Sequence, residues 1–153
     1  MEYVRMLQMA LGSAVILSTL GACATTPHSP VGFRLPEGDV EQGRAAFIAL
    51  ECVSCHTVEG ADLPAPTLVD SPSRSVILGG QVFEVRTDGY LVTSIIHPSH
   101  RLALGFEREQ IATSTGESRM PDYSDIMTVR QMIDLVAFLQ SRYIIVPLPQ
   151  PPQ

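Results

Sequence analysis

The sequence predicts an all-α domain with one short β-hairpin set into it, spanning residues 39–146. Capping signatures open apolar-faced helical patterns near both ends of that span, at Asp39 and at Thr128. Thr87-Asp88 opens a third in the middle. Only the stretch around Gly79-Gly80 carries the glycine-punctuated, β-branched pattern of paired strands.

Residues 1–22 read as a secretory signal peptide. Met1 to Arg5 carries one arginine, Met6 to Leu20 is an apolar run, and Leu20-Gly21-Ala22-Cys23 follows. The run is too short and wrongly flanked for a spanning helix, although an anchor that is never cleaved is the competing reading. Leu20 to Cys23 resembles the lipobox of bacterial lipoproteins, which implies that Cys23 becomes the lipid-modified first residue of the mature chain. Ala24 after it points, by likeness to enterobacterial sorting, to the outer membrane. Residues 23–38 are Thr-, Ser- and Pro-rich and are expected to form a flexible tether, with His28 solvated in it.

The first helix starts at Asp39, a capping acid with Gln42 three residues on, close to a capping box. Val40, Gly43, Phe47 and Leu50 then fall on one face. A glycine inside a helix costs roughly 1 kcal/mol, so Gly43 predicts close approach of another helix. Between Leu68 and Met120 lie 51 residues, too many for a structureless loop. There Ser75–Leu78 and Val82–Arg86 are expected to pair as a hairpin about Gly79-Gly80. Thr87-Asp88 then caps a helix through Tyr90, Leu91, Val92, Ile95 and Ile96 that stops at Pro98. Thr128-Val129-Arg130-Gln131 is a capping box, and the helix after it is apolar nearly all round from Met132 to Leu139, hence buried on more than one side. Residues 147–153 (PLPQPPQ) have polyproline character and cannot join a core.

The chemistry is concentrated in Cys52-Val53-Ser54-Cys55-His56. Two thiols at this spacing add across the two vinyl groups of one porphyrin, and the next residue presents an imidazole to the iron. Three other uses of these residues compete with this one. A dithiol redox motif needs a strand before it, whereas Val40 to Glu51 has a helical pattern. A zinc site would combine Cys52 and Cys55 with His97 and His100, across a gap far longer than a finger loop. A disulfide is sterically poor at this spacing within a helix. Three cysteines are an odd count for an exported chain; with Cys23 on lipid and Cys52 and Cys55 on haem, none is left over. A core with few Phe and Tyr and no Trp would draw much of its apolar centre from a bound haem.

Taken with Gly43 and Phe47, Pro66-Thr67-Leu68, Met120-Pro121 and the last helix with Leu135, Phe138 and Leu139, the motif resembles the class I (monohaem) cytochromes c. The resemblance implies helices packed around one haem c, attached through Cys52 and Cys55 with His56 as proximal ligand. It implies that the first and last helices cross at Gly43 against Phe138, and that the Pro66 carbonyl accepts the second imidazole hydrogen of His56. The segment from Gly80 through Pro98 to Gly105-Phe106 is similar to the haem domain fused to subunit II of some bacterial terminal oxidases.

For the sixth ligand the chain offers Met120, Met127, Met132, His97 and His100. Met120 is favoured because it lies in an irregular stretch stiffened by Pro121, where a loop brings a thioether to the iron. Met127 and Met132 fit core packing and the two histidines fit a surface. His56/Met120 ligation fills both axial positions and makes the chain a carrier of single electrons rather than an enzyme. It would act alone or as the relay subunit of a larger respiratory or periplasmic oxidoreductase. An open iron would instead make a gas sensor or peroxidase.

All ten basic residues are Arg, against sixteen acids, for a net charge of −6. Nucleic-acid binding is excluded on that balance, and redox partners are expected to meet the chain through their own basic patch or an apolar haem edge. No phosphate loop, zinc-protease motif or nucleophile elbow is present. Asp122 and Asp125 sit in a polar linker as capping or solvated acids.

Overall fold

The computed structural model describes residues 33–67 and 75–147. Along the chain run α1 (Val40–Ala49), β1 (His56–Val58), β2 (Val76–Leu78), β3 (Gly80–Val82), α2 (Asp88–Ile96), α3 (Arg108–Ile111), α4 (Val129–Gln140) and β4 (Tyr143–Ile145). Turns of 3-10 helix occupy Cys52–Ser54 and Pro98–His100. The signal peptide, Cys23, His28, most of the proposed tether and the tail beyond Pro147 lie outside the described residues.

The helix pair forms as the caps predict. Asp39 accepts from the N–H groups of Glu41 and Gln42, at 2.9 Å each. Its own N–H does not turn to Gln42, as a capping box would have it. It donates instead to Asp134 Oδ1 on α4, at 2.9 Å. The start of α1 is thereby satisfied by a carboxylate 95 residues away, and Asp134 is buried for that purpose. At α4 the box closes locally: Gln131 N–H donates to Thr128 Oγ1 at 3.2 Å and Thr128 N–H to Gln131 Oε1 at 2.9 Å.

Gly43 is where α1 and α4 touch. A Cβ there would collide with the Asp134 carbonyl and stand 2.7 Å from the Phe138 Cβ, closer than packed atoms come. One turn further along α1, Phe47 packs edge to face on Phe138. Phe47, Phe138, Leu135 and Val136 are the largest fully buried side chains, and Leu91 and Ile95 of α2 join their cluster. Thr87 caps α2, accepting from Tyr90 N–H at 3.2 Å. Asp88 accepts from Leu35 N–H and from Gln140 Nε2, both at 2.8 Å, so residues just before α1 are tied to α2 and to the end of α4.

The expected hairpin does not form. β2 and β3 are separated only by Gly79, fewer residues than the two a tight hairpin turn needs. Gly79 (φ +82°) and Gly80 (φ +74°) are both left-handed, and together they steer the chain from one partner to another. β2 pairs in parallel with β1, Val76 opposite His56, and β3 pairs in parallel with β4, Gly80 opposite Tyr143. The domain is mostly helical but not strictly all-α. α3 was not foreseen; Glu107 N–H donates to Gln110 Oε1 at 3.1 Å at its start.

Candidate functional site

α1 ends at Leu50, and Glu51 takes left-handed angles (φ +57°, ψ +23°), the only non-glycine at positive φ among the described residues. This conformation costs roughly 1–2 kcal/mol and turns the chain out of the helix into the 3-10 turn Cys52–Ser54. His56 follows as the first residue of β1. The cysteines therefore leave a helix through a tight turn, a setting that suits neither a helix-opening dithiol nor a finger. Both are free thiols, Cys52 half-buried and Cys55 exposed. Burial pushes the Cys52 thiol up to about 11, opposed in part by the neighbouring Tyr123 hydroxyl. Burial also raises Cys55.

The pairing of β1 with β2 orients the imidazole. His56 Nδ1 lies 3.1 Å from the Val76 carbonyl. A carbonyl only accepts, so Nδ1 carries the hydrogen and Nε2 keeps the lone pair that binds a metal. Burial lowers the pKa of His56, partly offset by this hydrogen bond, and so favours the neutral, ligating ring. The acceptor is thus Val76, where the resemblance implied Pro66. The reason is register: parallel pairing sets Val76 opposite His56. Pro66 is half-buried in the irregular stretch after β1, and its neighbour Thr67 donates to Ser54 Oγ at 3.4 Å, folding that stretch back on the motif. Ser75, 3 % exposed, fastens the turn from the other side, donating to the Cys55 carbonyl at 3.2 Å.

Met120 is half-buried against the same core cluster that Cys52 and Val53 touch. With Ile96, His97, Arg119, Pro121 and Asp122 it lines a cavity of about 600 Å³. Met127 and Met132 pack on the core. His100 is exposed, its Nδ1 2.8 Å from the His97 carbonyl. Among the described residues no three His, Cys, Asp or Glu side chains converge to hold a metal ion. Cys52 and Cys55 are therefore not gathered with His97 and His100, as the zinc reading required. The donor set is one that a metal brought by its own macrocycle could use: two reduced thiols, a neutral imidazole with a fixed tautomer, and the Met120 thioether packed on the same core cluster as Cys52.

Tyr123 is a residue whose part here the sequence reading missed. Its ring is 9 % exposed in the core and its hydroxyl donates to the Leu50 carbonyl at 3.1 Å. Burial foremost, with the neighbouring Cys52, raises its pKa to about 12. A tyrosine two residues after a Met-Pro pair was the available signal, and its partner lies 73 residues away.

No helix among the described residues is long and apolar enough to cross a membrane. The family model for cytochrome c matches residues 40–142. No curated protein and no solved structure matches the chain.

Proposed function

The chain belongs to the cytochrome c family, and on that premise we propose that it is a membrane-tethered one-electron carrier whose iron is held between His56 and Met120. Haem c is covalently attached, with Cys52 and Cys55 in the attachment positions. When bound, the haem supplies the Fe(III)/Fe(II) couple. Cys52 and Cys55, both reduced thiols, would hold the haem as thioethers, each thiol adding its sulfur to one carbon of a vinyl group and its hydrogen to the other. His56 offers Nε2 because Val76 O holds the hydrogen on Nδ1. Met120, as the second protein ligand, would supply a thioether that raises the potential relative to a second imidazole and would leave no open position for substrate. The helix pair and the β1–β2 pairing restrain the attachment turn, which keeps structural rearrangement on electron transfer small.

The observation that carries this reading is the His56–Val76 hydrogen bond immediately beside two unpaired thiols. It is what an axial imidazole needs, and a redox dithiol has no use for it. The ferric holoprotein should show the weak long-wavelength sulfur-to-iron absorption, and Met120→Ala should abolish it. A band that survives Met120→Ala would sink the ligand assignment. Ready binding of carbon monoxide by the reduced wild type would point to an open iron and a sensor or peroxidase.

The tether is part of the same proposal. Signal-peptide features in residues 1–22 and the lipobox-like Leu20-Gly21-Ala22-Cys23 support export and lipidation at Cys23, on the periplasmic side of a bacterial membrane. Multiple acyl chains bind effectively without release, each buried methylene adding about 0.8 kcal/mol. Partners are redox proteins, met through contacts suited to a lysine-free, acidic surface.

A further inference from the structure

Tyr123 stands where the Met120 loop meets fixed structure. Its carbonyl accepts from the N–H groups of Ile126 and Met127, at 3.1 and 3.0 Å, in the turn that leads to α4. Its hydroxyl reaches Leu50 O at the end of α1. Leu50 O has a second suitor, because Cys52 Sγ lies 4.0 Å from it. When Cys52 adds to a vinyl group its S–H is consumed: sulfur bonds one vinyl carbon and the hydrogen goes to the other. The carbonyl then keeps the phenol as its side-chain donor. Met120 is only three residues before Tyr123, within about 11 Å of chain at full extension, and Pro121 between them restricts φ. Upstream, Arg119 N–H donates to the Ile111 carbonyl at 2.9 Å, Ser118 N–H to Ser99 Oγ at 3.0 Å and Met120 N–H to Ser118 Oγ at 3.1 Å, so Tyr123 supplies the downstream anchor of the ligand loop.

We propose that Tyr123 is a positioning residue for the sixth ligand: by anchoring the Met120-Pro121 loop on Leu50 O beside Cys52, it holds the Met120 thioether on the haem iron. The proposal rests on the reading of Met120 as that ligand. It joins two events in one hydrogen bond, since the carbonyl that orders the loop belongs to the segment that attachment immobilises.

The test is an imidazole titration of the ferric holoprotein, followed by loss of the sulfur-to-iron band. Tyr123→Phe keeps the buried ring and removes only the hydroxyl. It should show the band without imidazole and lose it at about fivefold lower imidazole than wild type, the equivalent of one ordinary hydrogen bond. Ile133→Val serves as the stability control, because Ile133 is a buried side chain of α4 that lines a groove with Leu35, Pro36 and Gly38, ahead of α1. It should lower the denaturation midpoint and leave imidazole binding where it was. The proposal is overturned if Tyr123→Phe binds imidazole within twofold of wild type, or if Ile133→Val tightens binding equally. Met120→Ala separates the two readings. If it abolishes the band while Tyr123→Phe is indifferent to imidazole, the positioning role fails alone; if the band persists in it, the ligand assignment fails first.

Discussion

The rings of Phe47 and Phe138 meet edge to face, with centroids 5.8 Å apart and planes at 61°. That contact lies one turn along from the point where Gly43 abuts the Asp134 carbonyl, and the two together define the crossing of α1 and α4. The attachment turn hangs from the end of α1, so the crossing sets the position of Cys52, Cys55 and His56 relative to the core.

Gly43→Ala should therefore destabilise the holoprotein by about 1–3 kcal/mol, since the methyl group would overlap backbone rather than a movable side chain. Denaturant unfolding measures it as a lower midpoint at constant slope. A midpoint equal to wild type would mean that the helices do not meet at Gly43.

Asp134→Ala removes the acceptor of the Asp39 N–H and should cost about 1–3 kcal/mol. Asp134→Asn keeps a carbonyl in place and should recover most of that loss. Arg130→Ala should matter little, because its contact with Asp134 is 3.9 Å and its side chain is 70 % exposed. If Asn proves as damaging as Ala, the helix-start hydrogen bond is not what Asp134 contributes.

Alkaline stability should report on Tyr123. Its folded pKa, about 12, lies above the ordinary 10.0, with burial the largest cause, and that cause persists once Cys52 is a thioether. The sign follows from linkage. An acid whose pKa is raised by folding contributes stability that is complete below pH 10 and is lost as the pH rises toward 12, because the unfolded chain releases that proton first. Unfolding free energy measured across this range should fall for wild type and fall less steeply for Tyr123→Phe. Equal slopes would show that the phenol ionises at its ordinary pH.

With Cys23 as the proposed lipid site, Cys23→Ser should release the chain from membranes without altering its visible spectrum, because haem attachment uses Cys52 and Cys55. Fractionation of cells expressing the two forms checks this. Continued membrane association of the serine variant in high salt would exclude lipid at Cys23 as the tether.

The haem-attachment motif, the caps at Asp39, Thr87 and Thr128, and the helical faces of α1, α2 and α4 were all legible in the sequence. Each is a local pattern: a fixed spacing, a side chain bonding its own turn, or apolar residues recurring every three or four positions. Gly43 told of a close approach for the same reason, since its cost has no local compensation. Tertiary structure alone decided who meets whom. It gave His56 the carbonyl of Val76, 20 residues on, gave Asp39 the carboxylate of Asp134, and gave Leu50 the hydroxyl of Tyr123. It also parted the two strands about Gly79 and paired each in parallel elsewhere. Such hydrogen bonds depend on where the packed helices leave a buried donor or acceptor unmet, and no periodicity along the chain records that.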